Sequence, residues 1–310
     1  MTKILGLDVG GAHLKAAALH DGRLTNTRQV VCPLWQGADK LDAALLAIAD
    51  LIADADVIAA TMTAELSDLF ENRQSGVRWI VDRLAIEFPA HNIRYWSADG
   101  IFLSADKAKQ DPDAIASMNY LATAHFAARH TANSILIDMG TTTTDIIPVL
   151  DGKPEPLGKT DAERLANSEL VYTGLTRTAV MAVTDEIPFQ GQRVPICREV
   201  FATMADVQRV LGTLPEGIDE QATADGRGRS IEESTARLAR MLGRDAADAA
   251  QQDWGVAARY LARRQMQPIS HAVAIILSRH PKLYDAPVVA TGCAHEHLFA
   301  FAANEGFDPV

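Results

Sequence analysis

Several features are scarce in this chain, and each scarcity narrows the reading. Only three cysteines occur in 310 residues, Cys32, Cys197 and Cys293. They are too few and too far apart for a disulfide framework, and they fit a reducing cytoplasm. Aromatic residues make up 6% of the chain and apolar residues 48%, an ordinary soluble globular composition. Positive charge is in deficit, with a formal net charge of −11. That argues against nonspecific nucleic-acid or anionic-membrane binding, which need a basic field, but leaves room for a locally basic phosphate pocket. No apolar run is long enough to cross a membrane. The N-terminus enters a strand directly, which predicts no signal peptide. No sequence repeat or low-complexity run appears.

What is present is organised around Ile135–Val149, ILIDMGTTTTDIIPV. An apolar run ends in Asp138, Gly140 and four threonines follow, and Asp145 opens a second apolar run. This predicts strand, tight turn, strand. Its glycine, hydroxyls and flanking carboxylates suit a phosphate with a divalent cation beside it. The N-terminus has the same plan: Ile4–Leu7, Asp8, then the turn Val9-Gly10-Gly11-Ala12, then His13–Leu19 and an Asp21-Gly22 hairpin turn. Asp8 and Asp138 stand 130 residues apart, a domain's spacing.

This pair of loops resembles the two phosphate loops of the acetate kinase, sugar kinase, Hsp70 and actin superfamily. The resemblance implies an α/β fold of two ribonuclease-H-like lobes with a ligand cleft between them. It predicts lobes at 1–130 and 131–310, the second carrying a loop-rich and helical insertion at about 158–265. Val288–Ala294 stands where that superfamily has a third motif, with Gly292 alone where nucleotide-binding members show a glycine pair. A closer resemblance rests on Thr141–Asp145 (TTTTD), Tyr172–Thr178 (YTGLTRT) and Ala222–Arg227 (ATADGR). These are similar to hydantoinase/oxoprolinase-related proteins, in the short branch tied to tetrahydromethanopterin-linked C1 metabolism. That branch implies a transferase of methanofuran-type cofactor biosynthesis. Its substrates would be 5-(aminomethyl)furan-3-ylmethyl diphosphate and gamma-glutamyltyramine, joined as an aryl ether with loss of diphosphate. The superfamily at large implies the alternative, an ATP-dependent small-molecule kinase or ATPase. Neither implies nucleic acid or a membrane as partner; a homo-oligomer stays open.

Along the chain, apolar spacing predicts helices over 39–53, 75–88, 112–130, 201–211, 245–264 and 268–278. Helix starts follow at Asp161 and, with a capping box, at Ser230. Strands are expected at 57–60, 92–96, 179–183 and 287–290, an irregular stretch from Pro188 to Arg198, and a loop from Gly212 to Arg229.

Candidate chemistry follows from these positions. Asp8 and Asp138 can hold Mg2+, which uses one or two carboxylates and keeps waters. Gly10, Gly11 and Gly140 let backbone amides face phosphate oxygens, and Thr141, Thr142 and Thr143 add hydroxyls. Lys15 can reach a phosphate or stand in solvent. His13 can polarise a phosphate or relay a proton, or serve as an ordinary strand residue. Asp145 can orient a threonine, hold metal-bound water or act as base. Glu65 ends a buried strand, where ligand crevices form, or is a helix N-terminal carboxylate. Tyr172 sits in a loop with Arg177, which can clamp a phosphate or a glutamyl carboxylate, or form a surface ion pair. Asp225 and Arg227 flank a glycine in a candidate flap or a plain turn. Gly292 would border the ligand. Cys293, His295 and His297 lack the spacing of a structural zinc site, which favours packing over metal.

Overall fold

In Lys3–Val9 (β1), Leu5, Leu7 and Val9 are buried and the residues between them are more exposed. That two-residue period makes a half-buried strand. β1 pairs antiparallel with His13–His20 (β2), which pairs antiparallel with Arg23–Val31 (β3). Asp21 and Gly22 both take positive φ at that corner, as a tight hairpin turn requires. The computed structural model describes residues 2–310 and divides into two compact units, Met1–Phe126 and Ala127–Val310.

In the first unit Asp39–Leu46 (α1) and Ala49–Ala53 (α2) follow the meander. Val57–Met62 (β4) then pairs parallel with β1. Arg73–Glu87 (α3), Asn92–Trp96 (β5), Phe102–Leu103 (β6) and Ala105–Gln110 (α4) complete it, and Asn119–Ala128 (α5) leads out. The sheet order is β3-β2-β1-β4-β5-β6. Its core includes Leu5, Leu14, Ile58, Ile80 and Leu84.

The second unit begins with Ser134–Met139 (β7), Thr144–Leu150 (β8) and Lys153–Pro154 (β9). Asp151 and Gly152 take positive φ between the last two, as Asp21 and Gly22 do 130 residues earlier. Asp161–Ala166 (α6), Leu170–Val171 (β10), Glu186–Phe189 (β11) and Gln192–Pro195 (β12) follow. Then come Met204–Leu211 (α7), Ile231–Met241 (α8), Gln251–Arg279 (α9), Val288–Thr291 (β13) and His295–Asn304 (α10). The main sheet runs β10-β8-β7-β13, with β13 parallel to β7 and the other pairs antiparallel. This is the β3-β2-β1-β4 arrangement again, so both units are built on one strand plan. Two apolar cores serve this unit. One lies under the sheet, around Ile135, Ile146, Val273 and Leu298. The other, around Val180, Val207, Leu238 and Trp254, belongs to the chain between β10 and β13.

Five expectations from the sequence need correction. The 39–53 helix breaks at Ala47–Ile48, where Arg28 takes the Ala47 carbonyl (2.8 Å) and Ile48 turns inward. The 112–130 helix is a short turn at Pro112–Ala114 and then α5. Ser117 breaks it at φ 56° and donates its hydroxyl to Glu65 (2.7 Å). The 179–183 strand is a single-turn helix, Val180–Ala182, with only Ala179 bridged to Thr203. The irregular stretch contains the β11–β12 ribbon, turning at Gln190-Gly191, both at positive φ. Its prolines are tolerated because neither strand is central. The two helices at 245–264 and 268–278 are one, α9, running through Pro268. A proline there removes one helical hydrogen bond. The helix continues because its first half is buried in one core (Trp254, Ala258, Leu261) and its second half in the other (Ile269, Val273, Ile276).

Candidate active site

The first turn closes by a short hydrogen bond, from the Gly10 amide to the His13 carbonyl (3.0 Å). A methyl on Gly10 would lie 2.7 Å from that oxygen, so the turn needs glycine there. The Cys32 and Leu34 amides donate to the Ala12 and Gly11 carbonyls (2.8 and 3.0 Å), fixing the turn from behind. Asp8 lies beside Lys15 on β2 and Thr61 on β4. One of its carboxylate oxygens accepts from Lys15 Nζ and the other from Thr61 Oγ1, both at 3.4 Å. His13 is buried and Lys15 is exposed. Glu65, 1% exposed, sits in the short helix Ala64–Leu66 after β4. Gly76 of α3 lies directly on it: a methyl there would come within 2.6 Å of the Glu65 carbonyl oxygen.

The second turn closes the same way, from the Gly140 amide to the Thr143 carbonyl (2.9 Å). The amides of Gly10 and Gly140 are therefore committed inside their turns. The next amides, Gly11 and Ala12 in the first turn and Thr141 and Thr142 in the second, have no backbone acceptor among the described residues. Asp138 lies opposite Asp145 on β8 and beside Thr291 on β13. Facing residues of an antiparallel pair share a face, so two carboxylates meet there. Asp145 is held by Arg164 of α6, whose side chain is 4% exposed and which also reaches Asp161 (3.6 Å). Arg164 was not singled out from the sequence; a charged residue at the end of a short capped helix gives no signal of burial.

The loop after β10 is fastened to this turn. The amides of Leu175, Thr176 and Arg177 donate to the Gly140 and Thr141 carbonyls at 2.9, 3.2 and 2.9 Å. Arg177 also donates to the Thr142 hydroxyl (3.3 Å). Thr144, fully buried, donates to the Thr173 carbonyl (2.8 Å). Gln265 of α9 donates from beneath to Thr173 Oγ1 (3.0 Å) and to the Gly174 carbonyl (2.7 Å). Gly174 itself lies on the Thr141–Thr142 peptide, where a methyl would stand 2.6 Å from the Thr141 oxygen. Gln265 is a further residue that sequence spacing did not reveal, because its contacts are long-range. Gly292 follows β13 at φ 88°, and a methyl on it would lie 2.5 Å from Asp138 Oδ1. The absent side chain is what gives the Asp138 carboxylate its space.

Tyr172 is 67% exposed. Asp225 accepts from Arg237 (3.0 Å) and from the Arg227 amide (3.1 Å), while the Arg227 side chain is exposed. Burial pushes the Asp225 carboxyl up, but the Arg227 amide and the Arg237 guanidinium outweigh it and hold the group below the usual carboxylate range. Cys293 Sγ donates to the Met139 carbonyl (3.5 Å), and His297 Nε2 meets Gln208 Oε1 (3.1 Å). Burial keeps His297 below the ordinary histidine range. Among the described residues no three His, Cys, Asp or Glu side chains gather as a metal cage. Mg2+ does not require one, since one or two carboxylates, water and phosphate oxygens suffice.

The hydantoinase/oxoprolinase family model matches residues 56–308. The chain belongs to that family. A relative from Methanocaldococcus jannaschii is 36% identical over 240 residues, covering 77% of this chain and 71% of its own. It is named (4-{4-[2-(gamma-L-glutamylamino)ethyl]phenoxymethyl}furan-2-yl)methanamine synthase. A protein of the same name from Methanococcus vannielii is 40% identical over 110 residues, 36% of this chain and 49% of that one. Among solved structures, the nucleotide-free acetone carboxylase of ATP-dependent acetone carboxylation superposes with a TM-score of 0.60 at 12% identity, over 98% of this chain and 67% of that one. That likeness carries the fold: α/β, two ribonuclease-H-like lobes of the actin-like ATPase class. No helix among the described residues is long and apolar enough to cross a membrane.

Proposed function

We propose that this family member is a transferase of methanofuran-type cofactor biosynthesis. It joins 5-(aminomethyl)furan-3-ylmethyl diphosphate to gamma-glutamyltyramine, making an aryl ether and releasing diphosphate. The observation that carries the reading is the 36% identity, over most of the chain, to a synthase whose named product is a phenoxymethyl furan with a gamma-glutamyl amide. The two turns support it, since each presents backbone amides suited to phosphate oxygens.

In the reaction the bond from the furfuryl carbon to the diphosphate oxygen breaks, and its electron pair leaves with diphosphate. The phenol oxygen bonds to that carbon. The phenol proton passes to the released diphosphate, which is more basic than its ester. In the first turn the amides of Gly11 and Ala12, and in the second the amides of Thr141 and Thr142 with the hydroxyls of Thr141, Thr142 and Thr143, each suit phosphate oxygens. Lys15 adds a cation beside Asp8. Asp8 and Asp138 are each a candidate carboxylate for Mg2+, Asp138 with the space beside it that Gly292 leaves. Bound Mg2+ supplies neutralisation of the leaving group's charge. Asp145, engaged by Arg164, keeps the Asp138 face in position rather than taking the phenol proton. The reading implies small-molecule partners and work in the cytoplasm.

Phosphorus NMR with Mg2+ tests this. One tube holds ATP, the other the furan diphosphate with gamma-glutamyltyramine. Diphosphate release only in the second tube, dependent on the phenol and lost in Asp138→Asn, supports the transferase. ADP in the first tube, with no reaction in the second, replaces it with the kinase or ATPase alternative.

A further inference from the structure

The second turn owes the direction of its amides to the loop at 173–178. The Leu175 amide donates to the Gly140 carbonyl (2.9 Å), and the Thr176 and Arg177 amides donate to the Thr141 carbonyl (3.2 and 2.9 Å). Among the described residues no peptide is cis, and in a trans peptide the C=O and the N–H point opposite ways within one rigid plane. Holding those two carbonyls therefore turns the Thr141 and Thr142 N–H groups away from the loop. Each bond that the carbonyl accepts also polarises the N–H across the same peptide and strengthens it as a donor. Gly174 packs directly on the Thr141–Thr142 peptide, where a methyl would lie 2.4 Å from the Thr142 nitrogen.

The loop is itself anchored at both ends. Its far half is held by backbone, since the Met204 and Ala205 amides at the start of α7 donate to the Thr178 and Thr176 carbonyls (2.8 and 3.1 Å). Its near half is held by side chains. Thr144 donates to the Thr173 carbonyl (2.8 Å). Gln265, 3% exposed, reaches from α9 to Thr173 Oγ1 (3.0 Å) and to the Gly174 carbonyl (2.7 Å). A carbonyl can only accept, so the amide nitrogen of Gln265 has to face it. Thr178 Oγ1 also donates to that carbonyl (3.2 Å), but it belongs to the loop and moves with it. Gln265 stands between Leu261 and Ile269, where α9 passes from one core to the other, so its own frame is fixed on both sides. We infer that Gln265 is a positioning residue for the second turn: by holding Gly174 it keeps the 173–178 loop on the Gly140 and Thr141 carbonyls, and so aims the Thr141 and Thr142 amides at diphosphate oxygens. The inference rests on the reading of this turn as a phosphate turn.

The test titrates inorganic diphosphate with Mg2+ into the wild type, Gln265→Met, Gln265→Leu and Ile276→Ala by calorimetry, at a temperature where circular dichroism shows each protein folded. Methionine and leucine nearly keep the volume and remove the donor. Ile276 is buried on the same helix, about 16 Å further along by the helical rise, and its truncation lowers stability by opening a cavity away from the Gln265 hydrogen bonds. The Kd for diphosphate should rise about tenfold or more in either Gln265 variant, as expected when oriented donors are lost. In Ile276→Ala it should stay near the wild-type value. Wild-type affinity in a folded Gln265 variant overturns the inference, as do equal losses in all three variants or a wild type that binds no diphosphate. In turnover, kcat/KM for the furan diphosphate should fall by the same factor in the Gln265 variants, with KM for gamma-glutamyltyramine unchanged. If the wild type binds diphosphate but makes no ether, the proposed function fails, and the binding comparison still decides the role of Gln265.

Discussion

The two hairpins share a backbone and differ in charge. In both, a glycine amide closes onto the carbonyl three residues on, and an aspartate is the last residue but one of the leading strand. Opposite Asp8 stands Lys15; opposite Asp138 stands a second carboxylate, Asp145. The first hairpin neutralises its aspartate with an exposed neighbour on the same sheet. The second needs a buried arginine delivered by α6, and its turn is fastened by the 173–178 loop and Gln265. A shared turn geometry therefore repeats the same backbone frame, and the surroundings set the charge beside it. The second site is the more elaborate and should be the more fragile.

Removing the compensating cations should separate the two hairpins most. Arg164→Gln takes the partner from a nearly buried ion pair and leaves Asp145 facing Asp138, a loss of about 3–5 kcal/mol by urea unfolding. The double variant with Asp145→Asn should recover much of it. Lys15→Ala removes an exposed partner and should cost less than about 1 kcal/mol in the same assay. Equal losses for Arg164→Gln and Lys15→Ala would erase the contrast.

Methyl scanning of the glycines should have the next largest effect. Gly174→Ala and Gly10→Ala place a methyl against backbone atoms that cannot yield, costing about 1–3 kcal/mol each. Gly140→Ala meets only the Thr143 oxygen at 3.7 Å and should leave the unfolding midpoint near the wild type. The two leading glycines thus differ in need although their turns match.

A smaller effect should follow from Cys32, just behind the first turn. Burial pushes its thiol up to about 11. The unfolded chain loses that proton from about pH 8.5, before the folded one does. The thiol's contribution is therefore complete below that pH and is lost as pH rises toward about 11. Cys32→Ala should flatten the alkaline decline in stability. In the folded wild type at pH 8, Cys32 should react with a thiol reagent more slowly than the part-exposed Cys293.

The repeated Asp, Gly and Asp-Gly positions at 130-residue spacing made both hairpins readable, because turn chemistry is local. Elements failed where distant contacts overrode local pattern. Ser117 breaks a helical run to reach Glu65, and Pro268 lies inside a helix because two cores hold it on either side. The candidate residues at the turns are adjacent because hairpin register makes them so. Arg164 and Gln265 escaped notice because each meets the site from another element, and Arg237 reaches Asp225 from α8 by a contact that no spacing announces.

The most direct test of the account follows the phenol oxygen. Gamma-glutamyltyramine labelled with oxygen-18 at the phenol would be turned over with the furan diphosphate, and the products examined by mass spectrometry. Attack at the furfuryl carbon predicts all of the label in the ether and none in diphosphate. Label attached to phosphorus, as an aryl phosphate or diphosphate, would mean phosphoryl transfer and would contradict the assignment.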